Sequence, residues 1–290
     1  MSKPFWLIAA PFIFLLLWSA GFALAKIGLQ HAGPFTILGL RYLIAVLVLL
    51  PLLPVLKPNF PRGRAALDIA VTGFLIQVVY FGMCYGAFRI GVSAGGVAII
   101  VCLQPILVGI IAPRLVGESV SLLRWLGLAF GLFGALTVIL SRSGISTEPV
   151  IGVLLAVGGL LGITGATLYE KRFGVTHHPV PANIIQYAVG AAFALPLAWG
   201  IEGFDADWTP ELFAVLAYLV IGNSLVAITL LLAMIRAGEV ARVSALFYLV
   251  PPLSALFAWP LLGEAMPPLA WAGMALAALG VMLARTGPAA

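Results

Sequence analysis

Charged side chains are scarce in this chain of 290 residues. Only 9% of the residues are Asp, Glu, Lys or Arg, whereas 63% are hydrophobic. Soluble domains contain about 25% charged and about 45–50% apolar residues, so this chain has too little polar surface to fold as a globule in water. The composition excludes cytosolic enzymes, secreted disulfide scaffolds, disordered tails and DNA-binding modules, and it leaves lipid as the main solvent.

Cysteine and histidine are also too few for a disulfide framework or a metal centre. Cys84 and Cys102 both lie inside apolar stretches, which is typical of small buried thiols. The three histidines, His31, His177 and His178, have no Cys or acidic cluster at metal-ligand spacing. We therefore expect no metal, no cofactor and no catalytic residues. A membrane-embedded lipid or prenyl transferase, which needs clustered acids or histidines, is a weaker alternative, as is a scaffold subunit.

Apolar runs fill most of the chain and are long enough to cross a bilayer as helices. A hydrocarbon core of about 30 Å needs about 20 apolar residues per helix, and these runs lack the alternation of membrane barrel strands. The sequence predicts an all-α integral membrane protein with ten transmembrane helices. The predicted spans are Phe5–Ala25, Pro34–Val55, Leu67–Phe88, Ser93–Leu115, Trp125–Leu140, Val150–Leu168, Pro181–Trp199, Leu212–Met234, Ser244–Leu262 and Leu269–Ala284.

The distribution of Lys and Arg predicts the orientation. With a cytoplasmic N-terminus, 11 of the 15 Lys and Arg residues fall on the inner side, as the positive-inside rule requires. The outer half then holds Lys26, Arg41, Arg89 and Arg142, together with the acidic stretch Glu202–Glu211. We expect a multi-pass protein of the bacterial inner (cytoplasmic) membrane with both termini in the cytoplasm. Cytoplasmic loops then explain the net charge of +5, so no nucleic-acid partner is expected.

The two halves of the chain match each other at a nearly constant offset. Matched Leu and Ala would arise in any pair of apolar helices, but matched Pro, Lys and Gly-Glu positions would not. Examples are Lys26 with Lys171 and Tyr42 with Tyr187 at offset 145, Gly117-Glu118 with Gly263-Glu264 at 146, and Arg89 with Arg236 and Pro105 with Pro252 at 147. Each half holds five spans, an odd number, so the second half must enter the membrane from the opposite side. We predict one transmembrane domain (1–290) built from inverted five-helix repeats, residues 1–145 and 146–290, as in many secondary transporters.

Several of these motifs resemble the duplicated signature of the drug/metabolite transporter superfamily, and specifically its EamA-type ten-helix bacterial exporters. They are Trp18-Ser19-Ala20-Gly21-Phe22, Lys26, Arg41-Tyr42, Gln104-Pro105, Gly117-Glu118, Gly127, Gly134, Pro251-Pro252, Gly263-Glu264, Gly273 and Gly280. The resemblance covers nearly the whole chain. It implies a carrier that exports metabolites, including amino acids, through a central cavity between the halves. Glu118 and Glu264 are expected to cap the short helices that follow them.

Polar side chains in mid-membrane mark the candidate substrate pathway, because each is costly there unless it pairs or faces water. Ser19 matches Thr164 between the halves, and Gln77 matches Ser224. The candidates are Trp18, Ser19, Gln77, Tyr80, Gln104, Thr164, Asn223, Ser224, Ser244 and Tyr248. A structural role competes for each, since Ser and Thr often bond helix backbone and Trp and Tyr often anchor at the interface. Pro105 and Pro252 are expected to bend paired helices, because proline frees a backbone carbonyl.

Acidic residues are missing from the middle of the predicted spans. Proton-coupled carriers usually need a titrating carboxylate or histidine there. In the superfamily's small four-helix exporters the first helix carries a Glu, whereas here it reads Leu15-Leu16-Leu17-Trp18-Ser19-Ala20-Gly21. We therefore expect uncoupled, facilitated export by alternating access.

The chemistry of the candidate residues suggests the substrate. A neutral site of aromatic and amide groups suits amino acids with aromatic or other hydrophobic side chains, with nucleosides, drugs and polyamines as alternatives. The expected partners are this small-molecule substrate and membrane lipid. The sequence favours neither a monomer nor a homodimer.

Overall fold

Ten helical spans make up the described part of the chain, which comprises residues 5–92, 94–115, 117, 120–142, 149–174, 177–237, 240–262 and 267–286 of a computed structural model. The spans are α1 (Phe5–Gly28), α2 (Pro34–Leu49), α3 (Arg64–Arg89), α4 (94–115), α5 (Leu122–Arg142), α6 (Val150–Phe173), α7 (Pro179–Glu202), α8 (Pro210–Ala237), α9 (240–262) and α10 (Pro268–Thr286). A short helix, Leu52–Leu56, follows α2. Within these residues the only strand-like pairing is an isolated bridge between Ala32 and Ala206, so the all-α prediction is confirmed.

Helix length agrees with the expected number of crossings. Seven helical segments are long and apolar enough to span a bilayer, and three shorter apolar helices, Gln104–Leu115, Ala245–Leu261 and Pro268–Ala284, belong to α4, α9 and α10. Span α5 is longer than its predicted bounds, since it begins at Leu122 and ends at Arg142.

Proline, glycine and side-chain caps set several helix ends. Pro34, Pro179 and Pro210 stand at the first turns of α2, α7 and α8, where the missing amide proton costs nothing. Thr209 caps α8, because its Oγ1 accepts a hydrogen bond from the backbone N–H of Leu212 at 3.2 Å. Gly203 follows the last residue of α7, and its φ of +66° lies in the left-handed region that glycine adopts readily.

Two spans change to π-helix in the middle. The π-helical segments are Phe74–Gly82 in α3 and Leu219–Ala227 in α8, each nine residues long. They begin 145 residues apart, within the range of 145 to 147 that separates matched positions of the two halves. Most π-helices are single-turn bulges and many lie at functional sites, so two long, matched segments mark this part of the fold.

The regular α-helix is also interrupted just before each of the two matched prolines. In α4 a break at 102–103 precedes the segment Gln104–Leu115 that contains Pro105. In α9 the 3-10 segment Ala245–Leu249 precedes the segment Val250–Leu262 that contains Pro252.

Helix packing follows an approximate two-fold pattern. Span α5 packs along α10 and α2 along α7, while α1 contacts α8 and α9, and α6 contacts α3 and α4. If each helix is replaced by its counterpart in the other half, the α1–α8 contact becomes the α6–α3 contact. In the same way, the α1–α9 contact becomes the α6–α4 contact. The packing therefore keeps the same form when the two halves are exchanged.

Backbone-to-backbone contact joins α5 to α10 through glycines. A Cβ added at Gly127, Gly134, Gly273 or Gly280 would lie less than 3.0 Å from backbone atoms of the opposite helix. These positions therefore require glycine, and they let the two helices approach more closely than any side chain would permit.

The two ends of the bundle differ in charge. One end, called here the acidic end, carries the 203–209 loop with Asp205 and Asp207. Arg89, the last residue of α3, contacts Ile201 and Glu202 at this end. The other, called here the basic end, carries the 57–63 loop together with Gly174 and His177, and here Asp68 of α3 meets α6.

Candidate functional site

Two tyrosines meet where α2 packs against α7. The rings of Tyr42 and Tyr187 stack with centroids 5.8 Å apart. The Tyr42 hydroxyl donates to the carbonyl of Gln77 at 3.1 Å, and the Tyr187 hydroxyl donates to the carbonyl of Ser224 at 2.5 Å. Both carbonyls belong to π-helical segments, where the backbone leaves the α-helical bonding pattern. The tyrosine pair therefore ties the two unusual segments to the centre of the bundle.

An aromatic cluster surrounds Trp18 of α1. Its indole lies 5.3 Å from the Phe14 ring, 5.8 Å from Phe81 and 6.0 Å from Phe247, measured between centroids. These rings come from α1, α3 and α9, so the cluster lies between helices of both halves. Trp18 is buried and therefore does not anchor at a lipid interface.

Gln104 and Ser244 face each other from matched helices. The Gln104 Nε2 lies 3.4 Å from the Ser244 Oγ and 3.4 Å from the Thr167 Oγ1. The Thr167 hydroxyl in turn donates to the carbonyl of Ile163 in its own helix. Sequence reasoning did not select Thr167, although it lies one turn from the candidate Thr164.

Ser19 and Thr164, the matched pair of α1 and α6, make backbone contacts. The Thr164 hydroxyl donates to the carbonyl of Leu160 at 2.7 Å, which is the common bond of a threonine to its own helix. The carbonyl of Ser19 accepts a hydrogen bond from the Ser254 hydroxyl at 3.0 Å. Neither side chain joins the groups around Tyr42 or Gln104 by a hydrogen bond within the described residues.

The remaining candidates, Gln77, Tyr80, Asn223 and Tyr248, are buried in the same interior. Asn223 packs against Gly21 so closely that a Cβ there would overlap its amide. The Tyr248 ring packs on Gly131 of α5. All ten candidate side chains are thus enclosed, and this conformation is closed around them.

Arg41 lies in the interior of the bundle, a burial that the count of Lys and Arg on each side did not predict. It is the eighth residue of the 16-residue span α2 and only 1% of its surface is exposed. Its Nε donates to the Ser224 Oγ at 2.6 Å, and its guanidinium carbon lies 4.7 Å from the Phe81 ring centroid. A charge count assigns a residue to a side of the membrane but does not separate a loop cation from a buried one. The signal that could have found Arg41 is its position seven residues inside an apolar run that begins at Pro34.

Several buried polar atoms in this region have no hydrogen-bond partner. They are Trp18 Nε1, Ser19 Oγ, Arg41 Nη2, both amide atoms of Gln77, Gln104 Oε1, Gln186 Oε1, Asn223 Oδ1 and Tyr248 Oη. Buried polar groups in native proteins are nearly always bonded. A cluster of unbonded donors and acceptors therefore marks a place where a polar ligand or water would be stabilised.

An ion pair connects three helices at the acidic end. The Arg89 guanidinium lies 3.7 Å from Glu202 Oε1. The Glu202 carboxylate also caps α2, since it accepts from the backbone N–H groups of Phe35 at 3.0 Å and Thr36 at 2.7 Å. Gly33 leaves room for it, because a Cβ there would overlap the carboxylate. A cavity of about 420 Å³ opens beside this cluster, lined by residues that include His31, Arg89, Glu202 and Asp207.

A second ion pair lies at the basic end. Arg236 Nη1 lies 2.5 Å from Glu170 Oε1, and the Thr72 hydroxyl donates to Glu170 Oε2 at 3.1 Å. Arg89 and Arg236 occupy matched positions of the two halves, so matched arginines hold opposite ends of the bundle. Asp68 nearby accepts from the Tyr169 hydroxyl at 2.6 Å.

No group of three or more His, Cys, Asp or Glu side chains that could hold a metal occurs within the described residues. Glu118 and Glu264, the predicted caps, lie outside that part of the chain.

Comparison with known proteins identifies the family. The model of the EamA-like transporter family matches the chain twice, over residues 4–140 and 150–286. The uncharacterized inner membrane transporter YedA of Escherichia coli K12 is 27% identical over 97% of this chain and 91% of its own length. A probable terminal-alkyne amino-acid exporter of Streptantibioticus cattleyicolor is 26% identical over 98% of this chain and 93% of its own.

A solved structure shares the fold. It superimposes with a TM-score of 0.80 at 21% identity and covers 95% of this chain and 94% of that one. Because the family matches cover nearly the whole chain, the predicted resemblance is confirmed. The chain belongs to the EamA-like transporter family and is a multi-pass, ten-helix membrane transporter of metabolites, not an enzyme.

Proposed function

We propose that this transporter exports small amino-acid-like metabolites, preferably those with aromatic or other hydrophobic side chains, by alternating access. It lies in the bacterial inner membrane with both termini in the cytoplasm, as the excess of Lys and Arg on one side favours. Residues 1–145 and 146–290 form the two inverted repeats, which rock against each other to open the site to either face.

Matched structural details support the duplication. The family model matches each half separately. The π-helical segments of α3 and α8 have equal length, and a tyrosine from the preceding span of the same half bonds to each of them. The contacts between helices keep their pattern when the halves are exchanged.

The observation that carries the proposal is the buried combination of aromatic rings and unbonded neutral polar atoms between the halves. Trp18 Nε1, the Gln77 amide and Asn223 Oδ1 are unbonded, while Phe14, Phe81 and Phe247 surround the Trp18 ring. Ligand sites are typically apolar with a few placed polar groups. This combination suits a small molecule with one polar end and one apolar end.

The names of two relatives agree with this substrate class. Besides the Streptantibioticus exporter, a Salmonella typhimurium relative is named a probable amino-acid metabolite efflux pump.

The positions of the acids favour uncoupled transport. The carboxylates of the described spans, Asp68, Glu170, Glu202 and Glu211, all lie near span ends. Coupling by protons usually needs a titrating group along the pathway. Efflux is then driven by the substrate gradient alone.

Reconstitution tests these statements. Purified protein in liposomes loaded with labelled phenylalanine, leucine, a nucleoside or a polyamine is assayed for efflux with and without an imposed pH gradient. We expect efflux of the two amino acids at rates that the gradient does not change. Efflux of only the nucleoside or polyamine contradicts the substrate class, and gradient-driven efflux contradicts the uncoupled mechanism.

A matched pair of tryptophan variants tests the site. Trp18→Leu removes the buried indole, whereas Trp199→Leu removes an indole of α7 that is 76% exposed. We expect the first variant to lose most amino-acid efflux and the second to keep it. Equal rates in both would place the substrate elsewhere.

A further inference from the structure

Arg41 carries a positive charge that nothing in the described interior neutralises. Its side chain is buried in the middle of α2, where its Nε is bonded to the Ser224 hydroxyl but its Nη2 has no partner. Ion pairs between described side chains include those of His31, Arg64, Arg89 and Arg236, and Arg41 forms none with a described acid. An ionisable side chain inside a membrane span is costly, and such residues usually mark a substrate or ion pathway.

The neighbouring groups stabilise this cation only in part. The Phe81 ring, 4.7 Å from the guanidinium carbon, contributes a cation–π contact, and Ser224 supplies a neutral acceptor. A guanidinium has five N–H donors arranged in a planar fork that matches the two oxygens of a carboxylate. The unbonded Nη2 therefore leaves part of this fork free for an anion.

An apolar surface adjoins the cation. Phe81 contacts both Arg41 and Trp18, and the ring centroids of Phe81 and Trp18 are 5.8 Å apart. Asn223 precedes Ser224 in the π-helical segment of α8, and its buried Oδ1 is an unbonded acceptor. The cation and the aromatic rings are therefore in contact, and the Asn223 acceptor lies against Gly21 of α1, the helix that carries Trp18.

We infer that Arg41 binds the carboxylate of the exported substrate, with the apolar side chain against Phe81 and Trp18 and the ammonium group on Asn223 Oδ1. This inference rests on the proposed function and deepens it by assigning one residue to the charge of the substrate. Ser224 acts as a positioning residue, because its hydroxyl holds the Arg41 Nε and so orients the fork.

Charge balance favours a carboxylate over a phosphate. A carboxylate carries one negative charge, which a single guanidinium neutralises, whereas a phosphate monoester carries about −1.5 to −2 at pH 7. At the position of the second half that matches Arg41 stands Gln186, which adds no second cation.

A series of ligands tests the inference on the unmodified protein. Phenylalanine, 3-phenylpropionate, phenylalaninamide and 2-phenylethylamine share the ring, but only the first two carry a carboxylate. Each is titrated as a competitor of labelled phenylalanine binding to purified transporter in nanodiscs. Because a hydrogen bond to a charged group is worth about 1.5–3 kcal/mol, we expect the two ligands without a carboxylate to bind about 10- to 100-fold more weakly.

Variants then assign the preference to Arg41. In Arg41→Gln, the affinities for phenylalanine and 2-phenylethylamine should differ by no more than about two-fold. Arg41→Lys keeps a point charge without the planar fork, so it should keep part of the preference for a carboxylate. Arg62→Gln, which removes an exposed cation of the 57–63 loop, is the matched control and should leave the preference unchanged. If Arg41→Gln fails to fold, the ligand series and Arg41→Lys still decide the question.

The outcomes separate this inference from the proposed function. The assignment of Arg41 would be overturned if phenylalanine is bound and exported but ligands without a carboxylate bind equally well. It would also be overturned if the carboxylate preference survives in Arg41→Gln. Either result would leave amino-acid export intact. Absence of phenylalanine binding and efflux overturns both.

Discussion

Tyr42 and Tyr187 stack on each other while their hydroxyls bond, in matched fashion, to carbonyls of the π-helical segments of α3 and α8. One aromatic pair thereby links both halves and both irregular segments. Since each tyrosine occupies the same place in its own half, changes at the two positions should have similar effects.

Removing either hydroxyl tests this equivalence. Tyr42→Phe and Tyr187→Phe keep the stacked rings and delete one hydrogen bond each, which costs about 1 kcal/mol of stability. We expect comparable decreases in melting temperature, measured by intrinsic fluorescence in detergent, and a larger decrease for Tyr42→Ala, which also loses the ring. A large effect at one position with none at the other contradicts the matched roles.

The α5–α10 contact should tolerate no added atoms. Gly134→Ala places a methyl group against the backbone of α10, and overpacking of this kind typically costs about 1–3 kcal/mol. Gly200→Ala in α7 is the control, because a Cβ added there would have no atom of another helix within 4 Å. This variant should be neutral or slightly more stable than the unmodified protein. Thermal unfolding of the two purified variants measures the difference, and equal melting temperatures would refute the close contact.

The ion pairs at the two ends should contribute more to stability than the exposed pair near the acidic end. Glu170→Gln and Glu202→Gln each remove a buried carboxylate that bonds an arginine and other donors, so we expect losses of about 1–3 kcal/mol. Glu211→Gln removes an exposed partner of His31 and should cost less than about 0.5 kcal/mol. Melting temperatures in low and high salt check both statements.

Cysteine labelling tests the inverted arrangement. The native Cys84 and Cys102 are buried, so a background of low reactivity is expected. Arg62→Cys and Asp205→Cys introduce exposed thiols in loops at opposite ends of the bundle. In intact cells a membrane-impermeant maleimide should label the second but not the first. Labelling of both residues from the same side would contradict the orientation and the inverted repeats.

Much of the architecture could be predicted from hydrophobic runs and matched positions. The ten spans follow from the requirement for apolar length, and their helical structure follows because a bilayer offers no partners for open backbone groups. The π-helical segments could not be predicted, since Phe74–Gly82 and Leu219–Ala227 differ in sequence and neither contains a proline.

The site was predicted less completely than the fold. Polar residues inside apolar runs led to Gln77, Gln104 and Ser224 as pathway candidates, and the structure buries all three side chains. Arg41 was counted only as a cation of the outer half, because a charge count ignores depth. Glu202 was read as part of an acidic loop, because its bonds to the first turn of α2 join residues 166 and 167 positions apart, beyond the reach of local patterns.

The two halves differ at one matched position, where α2 carries Arg41 and α7 carries Gln186, and this difference affects the orientation of the bound substrate. A site built from two identical halves would bind a substrate in two equivalent poses, with its carboxylate towards the first half or towards the second. If Arg41 binds the carboxylate, as inferred above, the two poses are no longer equivalent, and a zwitterionic substrate keeps one orientation in the site throughout the cycle.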